Sequence, residues 1–116
     1  MKTHHFGIEV SDIEKSISFY ETFLDLHRIK NVEFLNEEIV FLIGEGFQIE
    51  LVKTDDTITR TRAHLAFEVT DLMMTINGYK EKDFQPIEGP YFLKNGWKTA
   101  FYEGPNGEII EFIQEN

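Results

Sequence analysis

Four residues carry the chemistry that this sequence repeats: His5, Glu50, His64 and Glu111. His5 opens the run His-Phe-Gly-Ile-Glu-Val-Ser-Asp at residues 5–12, and His64 opens His-Leu-Ala-Phe-Glu-Val-Thr-Asp at residues 64–71, an offset of 59. Glu50 and Glu111 stand at matched places in a second pair of runs, residues 46–51 and 107–112, at an offset of 61. Two imidazoles and two carboxylates form an N₂O₂ set that suits Zn, Ni, Co, Mn or Fe, and the carboxylates balance a 2+ charge. Six-coordination leaves two positions for water or substrate oxygens, as metal-assisted catalysis requires. The chain has no cysteine, so thiolate ligands and disulfides are excluded. A single strand histidine is usually just a polar residue, and a single outward glutamate is usually solvated. The matched recurrence of both types in both halves is what raises these four above that background.

The elements that must position them follow from the repeat, which is read first because it defines the fold. One domain is expected, 1–116, made of module one (1–53), a linker rich in Thr, Asp and Arg (54–62) and module two (63–116). Each module reads as strand, helix and three strands. In module one, His4–Val10 is strand-like, and Ser11-Asp12-Ile13-Glu14 reads as a capping box with Ser11 as the cap. Ile13, Ile17, Tyr20 and Leu24 then recur at helical spacing to about Asp25. Strands are expected at His27–Leu35, Glu38–Ile43 and Phe47–Val52, with a turn at Gly44-Glu45-Gly46. In module two the expectations are a strand at His64–Val69 and a helix capped by Thr70 and running to about Lys82. Strands follow at Phe84–Leu93, Trp97–Glu103 and Glu108–Gln114, the last two joined by a Gly104-Pro105-Asn106-Gly107 turn.

Strand alternation assigns the faces. Phe6, Ile8 and Val10, with Phe47, Ile49 and Leu51, are expected under the first helix; His5 and Glu50 then share the opposite face. Leu65, Phe67 and Val69 are core-facing by the same count, and His64 and Glu111 are not. Glu9 and Glu68 also match between modules and read as cavity-wall or inherited strand positions. His4 is expected to turn away from His5, and His27 has no counterpart in module two and reads as a surface residue. Trp97, Phe101, Tyr91 and Phe34 are candidates for a pocket wall, with packing the blander role.

Bulk properties narrow the partners. At 116 residues with a net charge of −10, the chain has no basic patch for nucleic acid or anionic membranes. No apolar run reaches the ~20 residues needed to span a bilayer, and the N-terminus has no signal-peptide core. A soluble cytoplasmic protein is expected.

The motifs His5-x-x-Ile8-x-Val10-x-Asp12 with KSISFY, Ile49-Glu50-Leu51, AHLAFEV around His64 and AFYEGPNGEIIEF ending on Glu111 together resemble the vicinal oxygen chelate superfamily, nearest the short bacterial glyoxalase I type. The resemblance covers essentially the whole chain. It implies an α+β fold of tandem paired βαβββ modules, an eight-stranded curved sheet or half-barrels around a metal cavity. It also implies a divalent ion (Ni, Zn, Co or Mn) on His5, Glu50, His64 and Glu111. A homodimer is implied as well, with His5 and Glu50 from one chain meeting His64 and Glu111 from the other. Glu9 stands where several glyoxalase I enzymes carry an arginine for the glutathione carboxylate.

The expected activity is that of a metal-dependent lyase of glyoxalase I type, the lactoylglutathione lyase reaction. A 2-oxoaldehyde–thiol hemithioacetal becomes a 2-hydroxyacyl thioester by metal-stabilised enediolate proton transfer. Glu111 is the expected base by resemblance, with Glu50 its symmetric alternative. Two other readings are an epimerase of the same superfamily, which runs the same enolate chemistry, and a bleomycin-resistance-like binder. The net charge suits a binder of cationic ligands, but binders of that branch generally lack the metal ligands.

Overall fold

The computed structural model describes residues 4–34, 37–54 and 63–115. The chain divides into two compact units, Met1–Thr61 and Arg62–Asn116, and each runs strand, helix and three strands. The fold is α+β. Its strands form two four-stranded mixed sheets rather than one continuous sheet, and neither closes into a barrel.

The first unit comprises β1 (Phe6–Val10), α1 (Ile13–Phe23), β2 (His27–Phe34), β3 (Glu37–Gly44) and β4 (Phe47–Lys53), in sheet order β1-β4-β3-β2. β1 lies parallel to β4, and the other pairs are antiparallel. One face is apolar: Ile8, Val10, Val40, Leu42, Ile49 and Leu51 are all buried, as are Ile13, Ile17 and Tyr20 of α1. Removing that surface from water is the main force holding helix to sheet. Phe6, expected in this core, is instead 52% exposed. It is the first residue of β1, next to the strand's open end, where alternation no longer guarantees cover.

The second unit repeats the plan with β5 (His64–Glu68), α2 (Leu72–Lys80), β6 (Glu88–Phe92), β7 (Lys98–Glu103) and β8 (Ile109–Gln114), in order β5-β8-β7-β6. β5 is parallel to β8. Its core is more aromatic: Tyr102 lies 5.6 Å from Tyr79, 4.6 Å from Phe84 and 5.4 Å from Phe112 between ring centroids. Phe84 in this cluster explains why β6 is shorter than expected. The chain after α2 docks Phe84 into the core before it becomes extended at Glu88. Burial pushes the Tyr102 hydroxyl up to about 12, so it stays protonated at neutral pH and belongs to the core rather than to acid–base chemistry.

Both helix starts lie one residue later than expected. Asp12 and Asp71, not Ser11 and Thr70, are the N-caps, accepting from Lys15 N and Met74 N at 3.0 Å. A carboxylate meets the orphan N–H groups and the positive helix end together, so aspartate is favoured where both candidates adjoin. α1 ends before Asp25, whose φ of 57° takes the chain out of the helix.

The β7–β8 turn is held from within. Glu108 is fully buried, and its carboxylate accepts from Asn106 N at 2.7 Å and Asn106 Nδ2 at 3.3 Å. Gly104 is required there, because a Cβ would stand 2.5 Å from that same carboxylate. Glu108→Ala removes both of these hydrogen bonds to the buried Asn106. It is expected to cost about 1–3 kcal/mol in denaturant unfolding, without altering the strand content seen by circular dichroism. The linker read at 54–62 lies outside the described residues beyond Thr54, whose N–H donates to the Val10 carbonyl at 2.9 Å.

Candidate metal centre

The parallel pairing of first and last strand builds the same arrangement in each unit. In unit one Gly7 pairs with Glu50, and Glu50 pairs on its other side with Phe41. In unit two Ala66 pairs with Glu111, and Glu111 with Phe101. A carboxylate thus lies between a small residue and a phenylalanine, on the sheet face away from the helix. The small residue is needed, since a Cβ at Gly7 would already stand 3.3 Å from Glu50 Oε1. A β-branched residue there would push the carboxylate aside.

Each histidine closes onto its own glutamate. His64 Nε2 is 3.0 Å from Glu111 Oε1, and His5 Nε2 is 3.5 Å from Glu50 Oε2. Each imidazole also has its phenylalanine nearby, with ring centroids 5.3 Å apart for His5 and Phe41 and 6.1 Å for His64 and Phe101. The carboxylate side chains are 21% and 15% exposed and the imidazoles 33% and 52%, so all four can still be reached. Among the described residues no group of three or more His, Asp or Glu gathers. What each unit presents is a pair.

The donor chemistry fits a divalent ion. Two donors about 2.1 Å from one ion and at right angles to each other are about 3 Å apart, close to the spacing seen in both pairs. One end of His5 is already occupied: its Nδ1 lies 2.7 Å from His4 Nδ1, which leaves Nε2 toward Glu50. His4 therefore does not turn away from His5. It precedes β1, so strand alternation does not govern it.

Phe41 and Thr99 also stand beside these carboxylates, outside the two repeated runs. Thr99 Oγ1 donates to Glu111 Oε2 at 2.6 Å. The sequence signal for Phe41 is its offset of 60 to Phe101, which carries the repeat into the third strand of each module. Of the other candidates, Tyr91 is 45% exposed, with its ring 6.4 Å from Phe101, and Trp97 is half-buried. The side chain of Phe34 lies outside the described residues. His27 is exposed, as are Glu9 and Glu68.

Two βαβββ units of this topology are the architecture of the glyoxalase fold class, and in this chain each unit also carries a His–Glu pair. Residues 2–112 match the Glyoxalase/Bleomycin resistance protein/Dioxygenase superfamily, and the chain belongs to it. A probable lactoylglutathione lyase of Synechocystis sp. is 28% identical over 95% of this chain and 92% of that protein. The crystal structure of a glyoxalase family protein from Enterococcus faecalis superposes with a TM-score of 0.83 at 21% identity, covering 97% of this chain and 96% of the other. The fosfomycin resistance protein FosX of Listeria monocytogenes, solved with Mn(II) and sulfate, gives a TM-score of 0.74 at 15% identity, over 97% and 90% of the two chains. Fold alone is shared at those two distances. Among the described residues no helix is long and apolar enough to cross a membrane.

Proposed function

We propose that this protein is a metal-dependent lyase of glyoxalase I type, isomerising a 2-oxoaldehyde–thiol hemithioacetal to a 2-hydroxyacyl thioester. The observation that supports it is the duplicated pair: His5 with Glu50 and His64 with Glu111, each on the face away from its helix. A non-catalytic binder has no need of ligand pairs preserved in both halves. The probable lactoylglutathione lyase among its relatives supports the same activity.

In this reading His5, Glu50, His64 and Glu111 would hold Ni, Zn, Co or Mn, the two pairs coming from the two chains of a homodimer. The ion, when bound, polarises substrate oxygen and stabilises the charge that develops there. Glu111 takes the proton from the carbon bearing sulfur and hydroxyl and returns it to the neighbouring carbon, while the hydroxyl proton passes to the neighbouring oxygen as the C=O moves to the sulfur-bearing carbon; Glu50 is its counterpart in unit one. Bonds and electrons balance within the substrate, so no oxidant is needed. Phe41 and Phe101 are the cross-strand neighbours of these carboxylates and give each an apolar flank.

The test is an assay of metal-reconstituted protein with methylglyoxal and a panel of cellular thiols, following the thioester. Protein purified without chelator is expected to carry near-stoichiometric metal, and chelation is expected to abolish turnover until metal is restored. Metal-free protein that binds cationic drugs would overturn the reading in favour of a binder. Racemisation of a 2-acyl thioester without action on any hemithioacetal would favour the epimerase.

A further inference from the structure

The duplicated pairs are not equally supported, and the difference lies in one hydroxyl. We propose that Thr99 is a positioning residue for Glu111, fixing the orientation of its carboxylate plane and making the two site carboxylates chemically unequal. The inference rests on the ligand and base roles proposed above.

Thr99 lies on β7 two residues before Phe101, the cross-strand partner of Glu111. Its side chain shares the face of Phe101, while Ala100 and Tyr102 are buried on the other. Thr99 is only 5% exposed, and its Oγ1 lies 2.6 Å from Glu111 Oε2. That is the short separation of an O–H donor on an ionised acceptor. The other oxygen, Oε1, faces His64 Nε2 at 3.0 Å. Both oxygens are therefore assigned: Oε2 to the protein, Oε1 to the site. Turning the carboxylate plane out of this orientation would break the part-buried bond.

Among the described residues of unit one there is no such device. The residue two before Phe41 on β3 is Ile39, paired with Val52 as Thr99 is paired with Ile113. Ile39 is as buried as Thr99, at 7% exposure, and its side chain has no hydrogen to donate. The polar partner of Glu50 is His5, at 3.5 Å. What supports unit one is instead the histidine, through the His4–His5 contact at 2.7 Å. The duplication thus fixes the carboxylate in one half and the imidazole in the other. A proton carrier must be held close to its productive geometry, since misplacement by about 1 Å can cost 10²-fold in rate. Of the two carboxylates, Glu111 is the one held.

The variants are Thr99→Val, which keeps the branched shape and removes the hydroxyl, and Thr99→Ser, which keeps the hydroxyl. Both are made in the full chain and loaded with Co²⁺. Thr99→Val is expected to lower kcat about 10–100-fold, the scale of losing an outer-shell partner, with KM within about twofold. Thr99→Ser is expected to restore most of the loss. Independently of turnover, the visible absorption of the Co²⁺ protein is expected to change in Thr99→Val, as Glu111 becomes free to rotate, and to return in Thr99→Ser. Unchanged kcat together with an unchanged Co²⁺ spectrum in a folded Thr99→Val protein would overturn the proposal. A loss equal in both variants would also overturn it, because it would reflect packing. If Glu111→Gln is inactive while Thr99→Val matches the parent, positioning fails and the base assignment survives. If the parent protein takes up no Co²⁺, the metal reading fails and this inference falls with it.

Discussion

Glu111→Gln is expected to remove most turnover while leaving fold and much of the metal in place. The amide keeps the shape of the carboxylate and one ligating oxygen, and with that oxygen toward the ion its NH2 can donate to the Thr99 hydroxyl, which lies 2.6 Å from the oxygen it replaces. It cannot take up a proton at neutral pH. General-base catalysis typically contributes about 10²–10⁴-fold, so a loss in that range is expected in kcat, with metal content falling far less. Glu50→Gln is the control within the same duplicated frame, and a smaller loss there would separate the two carboxylates. Turnover undiminished in Glu111→Gln would remove it as the base.

His5→Ala has the second large effect, on metal affinity. Loss of an outer-shell partner alone commonly costs about 10–100-fold in affinity, and loss of a ligand is expected to cost at least that. The remaining Glu50 would then face the ion without its imidazole, now 3.5 Å away. Competition with a chromophoric chelator measures the change directly. His64→Ala is expected to behave alike, because its nitrogen stands in the equivalent place, 3.0 Å from Glu111. Affinity unaltered in both variants would unseat the histidines as ligands.

The parts of the protein legible in its sequence are those that duplication wrote twice. The His–x–x–Ile/Phe–x–Val runs, the helices beginning near Asp12 and Asp71, and the glutamates in the closing strands all stood out because each half vouched for the other. Alternation then gave the correct face for both carboxylates. Contacts between strands far apart in sequence were less visible. Thr99 holds Glu111 through a β7–β8 register that the sequence does not spell out, and since Ile39 occupies its place in unit one, the repeat hid it as well. The helix caps were displaced by one residue because Ser11-Asp12 and Thr70-Asp71 each offer two adjacent capping side chains. The short β6 reflects a tertiary demand, the docking of Phe84 beside Tyr102, that outweighed its extended pattern. Phe6 shows the limit of alternation at a strand end, where apolar character does not ensure burial.

The parallel pairing of first and last strand has a consequence for how the protein matures. His64 and Glu111 are 47 residues apart in the chain, and His5 and Glu50 are similarly distant, so neither pair exists until its whole unit has come together. Such long-range closure is the slow, late kind of event in folding. A nascent or clipped chain lacking its last strand would have the histidine but nothing for it to meet. Ion capture would then act as a seal on completed units, adding stability only to chains that have already finished.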